Sequence, residues 1–226
     1  RPAYGFVGIM IPLGTISDPF YISDETKVKL KEANAYWSGK TTSELATSYM
    51  DERAAAAIEH NIFTPGNYFY NGVGHVTVKY DEVLKTGFRG IIDRTKSELE
   101  SHSVGEPDYS VRHEFLKAVI ISCEAAVTYA KRYAALAREL SQKESDIVRS
   151  RELLKIAENC ERVPEYGARN FYEACQSFWF VQMLIQIESS GHSISPGRFD
   201  QYMYPYYKND IVSGAITREF AQELMD

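Results

Sequence analysis

The sequence predicts a mainly α protein with a few strands. Long stretches carry apolar residues at a 3.6-residue spacing, and capping signals and alanine runs stand where those stretches begin. Glycine- and proline-rich irregular segments are confined to 1–22, 61–79 and 188–214. With 226 residues, 44% hydrophobic and 25% charged, the chain suits a globular fold of one large or two small domains with a sizeable core.

Gly5, Gly8, Pro12, Gly14 and Pro19 make the first 22 residues a series of extended segments and turns, with Val7–Leu13 fit for a short buried strand. A short helix is expected over 24–37, stopped by Gly39. Thr41 and Glu44 have capping-box spacing and open a helix expected to run to about His60, favoured by the alanines at 54–57. Thr64-Pro65-Gly66-Asn67 breaks it, and Tyr68–Val78 is too rich in glycine and β-branched residues for a helix. A helix follows at about 80–100, then a polar linker at 101–109.

The longest helix is expected from about Val111 to Leu140, its apolar face drawn through Phe115, Ala118, Val119, Ser122, Ala126, Tyr129, Ala130, Tyr133, Leu136, Ala137 and Leu140. Another spans about 146–160 and stops before Pro164. Residues 168–187 are apolar nearly all round, which marks a helix buried on most sides. Thr217 can cap a last helix.

A net charge of −6 argues against a nucleic-acid partner, which needs a basic face. The run Phe171–Ile187 contains Glu173, Gln176 and Gln182 and falls short of the ~20 apolar residues that span a bilayer, so no membrane association is expected. No charged n-region with an apolar h-region opens the chain, so secretion is not indicated and a cytoplasmic location is expected. Cys123, Cys160 and Cys175 are an odd number at wide spacing, as expected of free thiols that behave as small hydrophobes, and no Cys/His cluster suggests a metal site. The chain starts at Arg1 without Met and closes at Asp226 just inside a helical pattern, so both ends are expected to be cut.

The buried run ends at Glu188 and delivers the chain into Gly191-His192-Ser193-Ile194-Ser195-Pro196-Gly197-Arg198-Phe199-Asp200. Polar side chains at the end of a rigid buried element are a usual arrangement of an enzyme site. His192 and Ser193 suit recognition of a small polyhydroxylated molecule. Arg198 and Asp200 flank Phe199 and are expected to form an ion pair that fixes the loop; the run Tyr202–Tyr207 is either a stacking platform or packing beneath the loop. Glu188, at the boundary of a buried helix, is a weak candidate for a desolvated carboxylate.

His75 lies in Asn71-Gly72-Val73-Gly74-His75-Val76, where glycines permit close backbone approach to a ligand and an imidazole can serve as acid, base or hydroxyl donor. A histidine bonded to a carbonyl in a tight turn is the plainer alternative. His60, His102 and His113 stand in polar or helix-end contexts and are expected at the surface.

The segment Ile185–Tyr202 resembles glycyl radical enzymes of the pyruvate formate-lyase-like superfamily, nearest to the B12-independent glycerol and propanediol dehydratases. Asn67–Val76, Phe115–Ile121 and Tyr129–Tyr133 agree, so the resemblance covers nearly the whole chain. It implies that residues 1–226 are part of a single pyruvate formate-lyase-type domain, a portion of a ten-stranded α/β barrel with its helical shell. It also implies that His75 contacts the leaving hydroxyl as the catalytic acid, that His192 and Ser193 bind substrate hydroxyls, and that Arg198 and Asp200 belong to the loop scaffold.

The family's Gly-Cys-x-Glu thiyl cysteine and Arg-Val-x-Gly-Tyr glycyl loop do not occur in this sequence, and Cys123, in Ile-Ser-Cys-Glu-Ala-Ala, is not the thiyl cysteine. No cofactor is expected to bind directly; the resemblance implies a glycyl radical outside this chain, installed by a radical SAM iron–sulfur activating enzyme. It further implies a homodimeric, anaerobic lyase acting on glycerol or 1,2-propanediol, with this chain its substrate-binding portion and inactive alone. Two alternatives stay open: another branch, cleaving choline or a different substrate, and a non-catalytic helical interaction protein or pseudoenzyme.

Overall fold

The computed structural model describes residues 22–64, 74–101, 103–189, 191 and 193–226. The chain divides into two compact units, one formed by Arg1–Val76 with Gln186–Ser193, the other by Thr77–Ile185 with Ile194–Asp226.

The first unit carries α1 (Asp24–Trp37), α2 (Thr42–Ser48) and α3 (Glu52–Glu59). Ser23 caps α1 by accepting from the Thr26 amide at 3.2 Å. The predicted capping box forms: Thr41 Oγ1 accepts from the Glu44 amide at 3.2 Å, and Glu44 Oε2 accepts from the Thr41 amide at 3.1 Å. The single helix expected from Thr41 to His60 is instead two. Asp51 Oδ1 accepts from the Ala54 amide at 2.9 Å and starts α3 afresh, a second cap inside what reads as one helical stretch. None of these three helices has a buried residue.

The second unit holds α4 (Tyr80–Ser101), α5 (Tyr109–Lys143), α6 (Ile147–Arg162), α7 (Phe171–Glu188) except its last three residues, α8 (Phe199–Ser213) and α9 (Arg218–Glu223). Helix α4 is broken at Gly87, whose φ of 66° and ψ of 177° leave the helical region. The segment after α6 fills the break: Phe88 N–H donates to Pro164 O, Arg89 N–H to Glu165 O, and Ala168 N–H to Leu84 O, each at 2.8 Å. Glycine is required on both sides of this joint. A Cβ at Gly87 would lie 2.2 Å from Glu165 O, and one at Gly167 would lie 2.1 Å from Lys85 O.

Helix α5 buries Leu116, Cys123, Ala126, Val127, Ala130, Ala134, Ala137 and Ser141, with alternating steps of three and four from Val127 onward. The predicted stripe is right at Ala126, Ala130 and Ala137 but wrong at Phe115, which is 65% exposed, and at Ala118, Ser122, Tyr133, Leu136 and Leu140, which are exposed too. Small residues win the inward positions because α6 packs close, as the Ser141–Ser150 hydroxyl contact at 3.0 Å shows.

Helix α7 buries Phe171, Glu173, Ala174, Ser177, Phe180 and Val181, yet Trp179 and Ile187 are more than half exposed, so its all-round apolarity exceeds its burial. Buried Glu173 is held by Arg169, Arg162 and the Asn170 cap. Asp210 of α8 reaches the start of α7, its Oδ2 accepting from Phe171 N–H at 2.7 Å.

The second correction concerns 188–214, predicted irregular: Phe199–Ser213 is helix α8, with Pro205 inside it. Its apolar side, Phe199, Tyr202, Met203 and Tyr206, packs with Leu84, Phe171, Ala174 and Ala221. Gly214, at φ 72°, ends it, and Thr217 caps α9 as expected. Among the described residues there is no strand, and β-type pairing is limited to one isolated parallel bridge, Thr77 with Ser195. The strand expected at Val7–Leu13 lies outside the described residues. No helix among the described residues is long and apolar enough to cross a membrane.

Candidate functional site

The two sequence segments singled out for chemistry share a backbone peculiarity. His75 has φ 53° and Ser193 has φ 56°, a left-handed conformation uncommon outside glycine. Both residues are exposed. Ser193 follows a tight return at the end of α7, in which Gly191 N–H donates to Gln186 O at 2.8 Å and Ser193 N–H to Gly191 O at 3.1 Å. Gly191 supplies the positive φ of 73° that this return needs. His192, the other predicted hydroxyl-binding residue, lies outside the described residues, as does His102.

Each peculiar residue stands two positions before a member of the parallel bridge, His75 before Thr77 and Ser193 before Ser195.

Below the bridge lies a nest of phenols. Tyr80, 1% exposed, stacks on Tyr202 with ring centroids 5.5 Å apart and meets Phe178 in a tilted contact at 4.8 Å. Its hydroxyl donates to Gln182 Oε1, and Gln182 Nε2 donates to Ile194 O at 3.0 Å. Tyr202 donates its hydroxyl to Pro196 O at 2.7 Å. Burial pushes the Tyr80 phenol up to about 12, and burial followed by the neighbouring Tyr80 raises Tyr202 as well, so both stay neutral donors. Tyr202 is therefore packing beneath the loop, whereas Tyr204 of the same run is 56% exposed. In the sequence Gln182 stands out only as a polar residue within the apolar run, and Tyr80 not at all, since their partners are distant along the chain.

The expected Arg198–Asp200 ion pair does not form. Arg198 occupies the N-cap position of α8 and Asp200 its first turn, and residues two apart on a helix face different ways. Asp200 Oδ2 accepts instead from Gln201 Nε2 at 2.6 Å. Glu188 is exposed, which removes the burial its candidacy required. His60 is exposed as expected, whereas His113 is half-buried and stacks on Tyr109 at 5.2 Å.

All three cysteines are free. Burial raises Cys123, takes Cys160 up to about 11 and Cys175 up to about 12, which keeps them protonated and in keeping with packing roles. Among the described residues no group of three or more His, Cys, Asp or Glu could hold a metal ion.

Comparison with known proteins places the chain in a family. The pyruvate formate lyase-like family matches residues 14–226. A solved structure concerned with 1,2-propanediol dehydration in Roseburia inulinivorans is 57% identical with a TM-score of 0.80, over 98% of this chain and 27% of that one. The glycerol-bound B12-independent glycerol dehydratase from Clostridium butyricum is 56% identical with a TM-score of 0.76, over 92% of this chain and 26% of that one. The (2S)-3-sulfopropanediol dehydratase of Klebsiella oxytoca is 39% identical over 213 residues, 93% of this chain and 26% of its own length. The chain thus spans about a quarter of the length of the proteins it matches. On this match of all but its first residues, the chain belongs to the pyruvate formate lyase-like family of glycyl radical enzymes.

Proposed function

We propose that this chain is the substrate-binding portion of a glycyl radical lyase that dehydrates a small diol, glycerol or 1,2-propanediol, to an aldehyde. The observation that carries it is the step in identity: 57% and 56% to the propanediol and glycerol dehydratase structures against 39% to the sulfopropanediol enzyme. His75, His192 and Ser193 supply the chemistry such a substrate asks for. An imidazolium donates the proton with which a hydroxyl leaves as water, an effect of roughly 10²–10⁴-fold. A second imidazole and a serine hydroxyl hold the remaining oxygens so that one carbon faces the reacting centre.

Hydrogen abstraction from carbon is supplied by a thiyl radical, generated through a glycyl radical on polypeptide outside this sequence and installed by a radical SAM iron–sulfur activating enzyme. The assembled enzyme is a cytoplasmic homodimer in this proposal. The test is the full-length protein, activated anaerobically and given glycerol, 1,2-propanediol and choline. Aldehyde should form from a diol, and His75→Ala should lower kcat by roughly 10²–10⁴-fold at equal glycyl radical content. Turnover of choline alone, or diol turnover indifferent to His75→Ala, would overturn the assignment.

A further inference from the structure

A carboxamide within an apolar helix needs both of its ends satisfied, because a buried amide left unbonded is costly. Gln182 meets that condition in an informative way. The Tyr80 hydroxyl donates to Oε1, which fixes the amide's orientation and turns Nε2 toward the carbonyl of Ile194 at 3.0 Å. Ile194 is 5% exposed.

The three residues after it are tied as well. Ser195 bridges Thr77, Pro196 O accepts from Tyr202, and Gly197, at φ 67°, lies so near Thr77 that a Cβ would stand 2.5 Å from Thr77 Cγ2. Residues 194–197 are therefore strapped one by one to the chain at 77, 182 and 202. The strap begins at the peptide that follows Ser193. Its links to Gln182 and Tyr202 each depend on one polar side chain, and the Gln182 link is the one nearest Ser193.

We infer that Gln182 is a positioning residue: its Nε2, held by Tyr80, fixes the Ile194 carbonyl and with it the peptide that follows Ser193, the proposed hydroxyl-binding residue. The inference rests on the diol assignment for its substrate and on the hydrogen bonds alone for its mechanics. Gln182 touches no reacting atom in this scheme, so its removal should be felt first in binding.

Gln182→Glu separates the two bonds. The carboxylate still accepts from Tyr80 but sets an acceptor against the Ile194 carbonyl. In the activated full-length protein, normalised to glycyl radical content, KM for the diol should rise roughly tenfold or more while kcat changes by less than about threefold. Hydrogen exchange of peptides covering 193–197 should quicken, with α5 unchanged. Tyr80→Phe, which frees Oε1 and leaves the Nε2 bond, should move KM and exchange the same way by less, and it carries the test if the glutamate variant does not fold.

Unchanged KM and unchanged 193–197 exchange, or a loss of yield and thermal stability with KM intact, would overturn the inference. If the wild-type protein converts neither diol, the substrate assignment falls by itself, and the exchange comparison still decides whether Gln182 holds the loop.

Discussion

Gly39 and Gly87 have nearly the same left-handed φ, 78° and 66°, yet different surroundings. A Cβ on Gly39 meets nothing within 4 Å; one on Gly87 meets the Glu165 carbonyl at 2.2 Å and backbone atoms of Tyr166 at 2.5 Å. Gly39→Ala should therefore cost only its backbone strain, about 1–2 kcal/mol. Gly87→Ala adds a backbone clash that no rotamer relieves and should cost at least about 3 kcal/mol. Urea denaturation of the two variants measures the difference, and equal losses would show that the joint yields more readily than its geometry implies. His75 and Ser193 carry a similar φ without glycine's freedom. Asn61 and Asp108, also exposed, carry the same φ, so this conformation alone does not mark a site.

Among the elements, α7 depends on charge buried at its first turn. Burial alone would raise the Glu173 carboxyl, but the hydrogen bonds from the Arg169 side chain and amide, with Arg162 nearby, hold it below its ordinary value of 4.5. The same balance, with Lys131 and Arg89 as partners, lowers Glu165 beside the α4 joint. A carboxyl lowered on folding stabilises the folded state above its unfolded value and loses that contribution as pH falls through its folded value. The thermal midpoint should thus drop as pH is taken below about 4.5, and Glu173→Gln should flatten that slope while lowering the midpoint at neutral pH. Differential scanning calorimetry across the acid range reads both.

Legibility in the sequence follows the range of the interaction. Thr41 and Thr217 cap through residues three positions away, and both were readable. Asp51, flanked by helical sequence on either side, hid its cap, and Pro205 with its neighbouring tyrosines disguised α8 although Phe199, Tyr202, Met203 and Tyr206 have helical spacing. Phe115 reads as core because it is large and apolar, but close approach of α6 selects alanine and serine instead. His75, His192 and Ser193 could be picked from composition and resemblance. The Tyr80–Gln182 bond, 102 residues long in sequence, could not.

At the scale of the whole molecule, the two units differ in what supports them. Helices α1 to α3 of the first unit bury no residue completely, while α4 to α7 of the second contain Ile92, Ala130, Ala157 and Ala174 at 2% exposure or less. Amides in α1–α3 should therefore exchange at low opening free energies and those in α4–α7 near the global limit. Native-state hydrogen exchange read by mass spectrometry tests this, and uniform protection across both sets would contradict it. The break at Gly87 carries one more consequence, in time rather than in space. Phe88 and Arg89 find their carbonyl partners 76 residues later in the chain, at Pro164 and Glu165. A nascent polypeptide growing from its N-terminus passes α4 long before those partners exist, so the two halves of α4 remain separate pieces until synthesis has gone past Ala168.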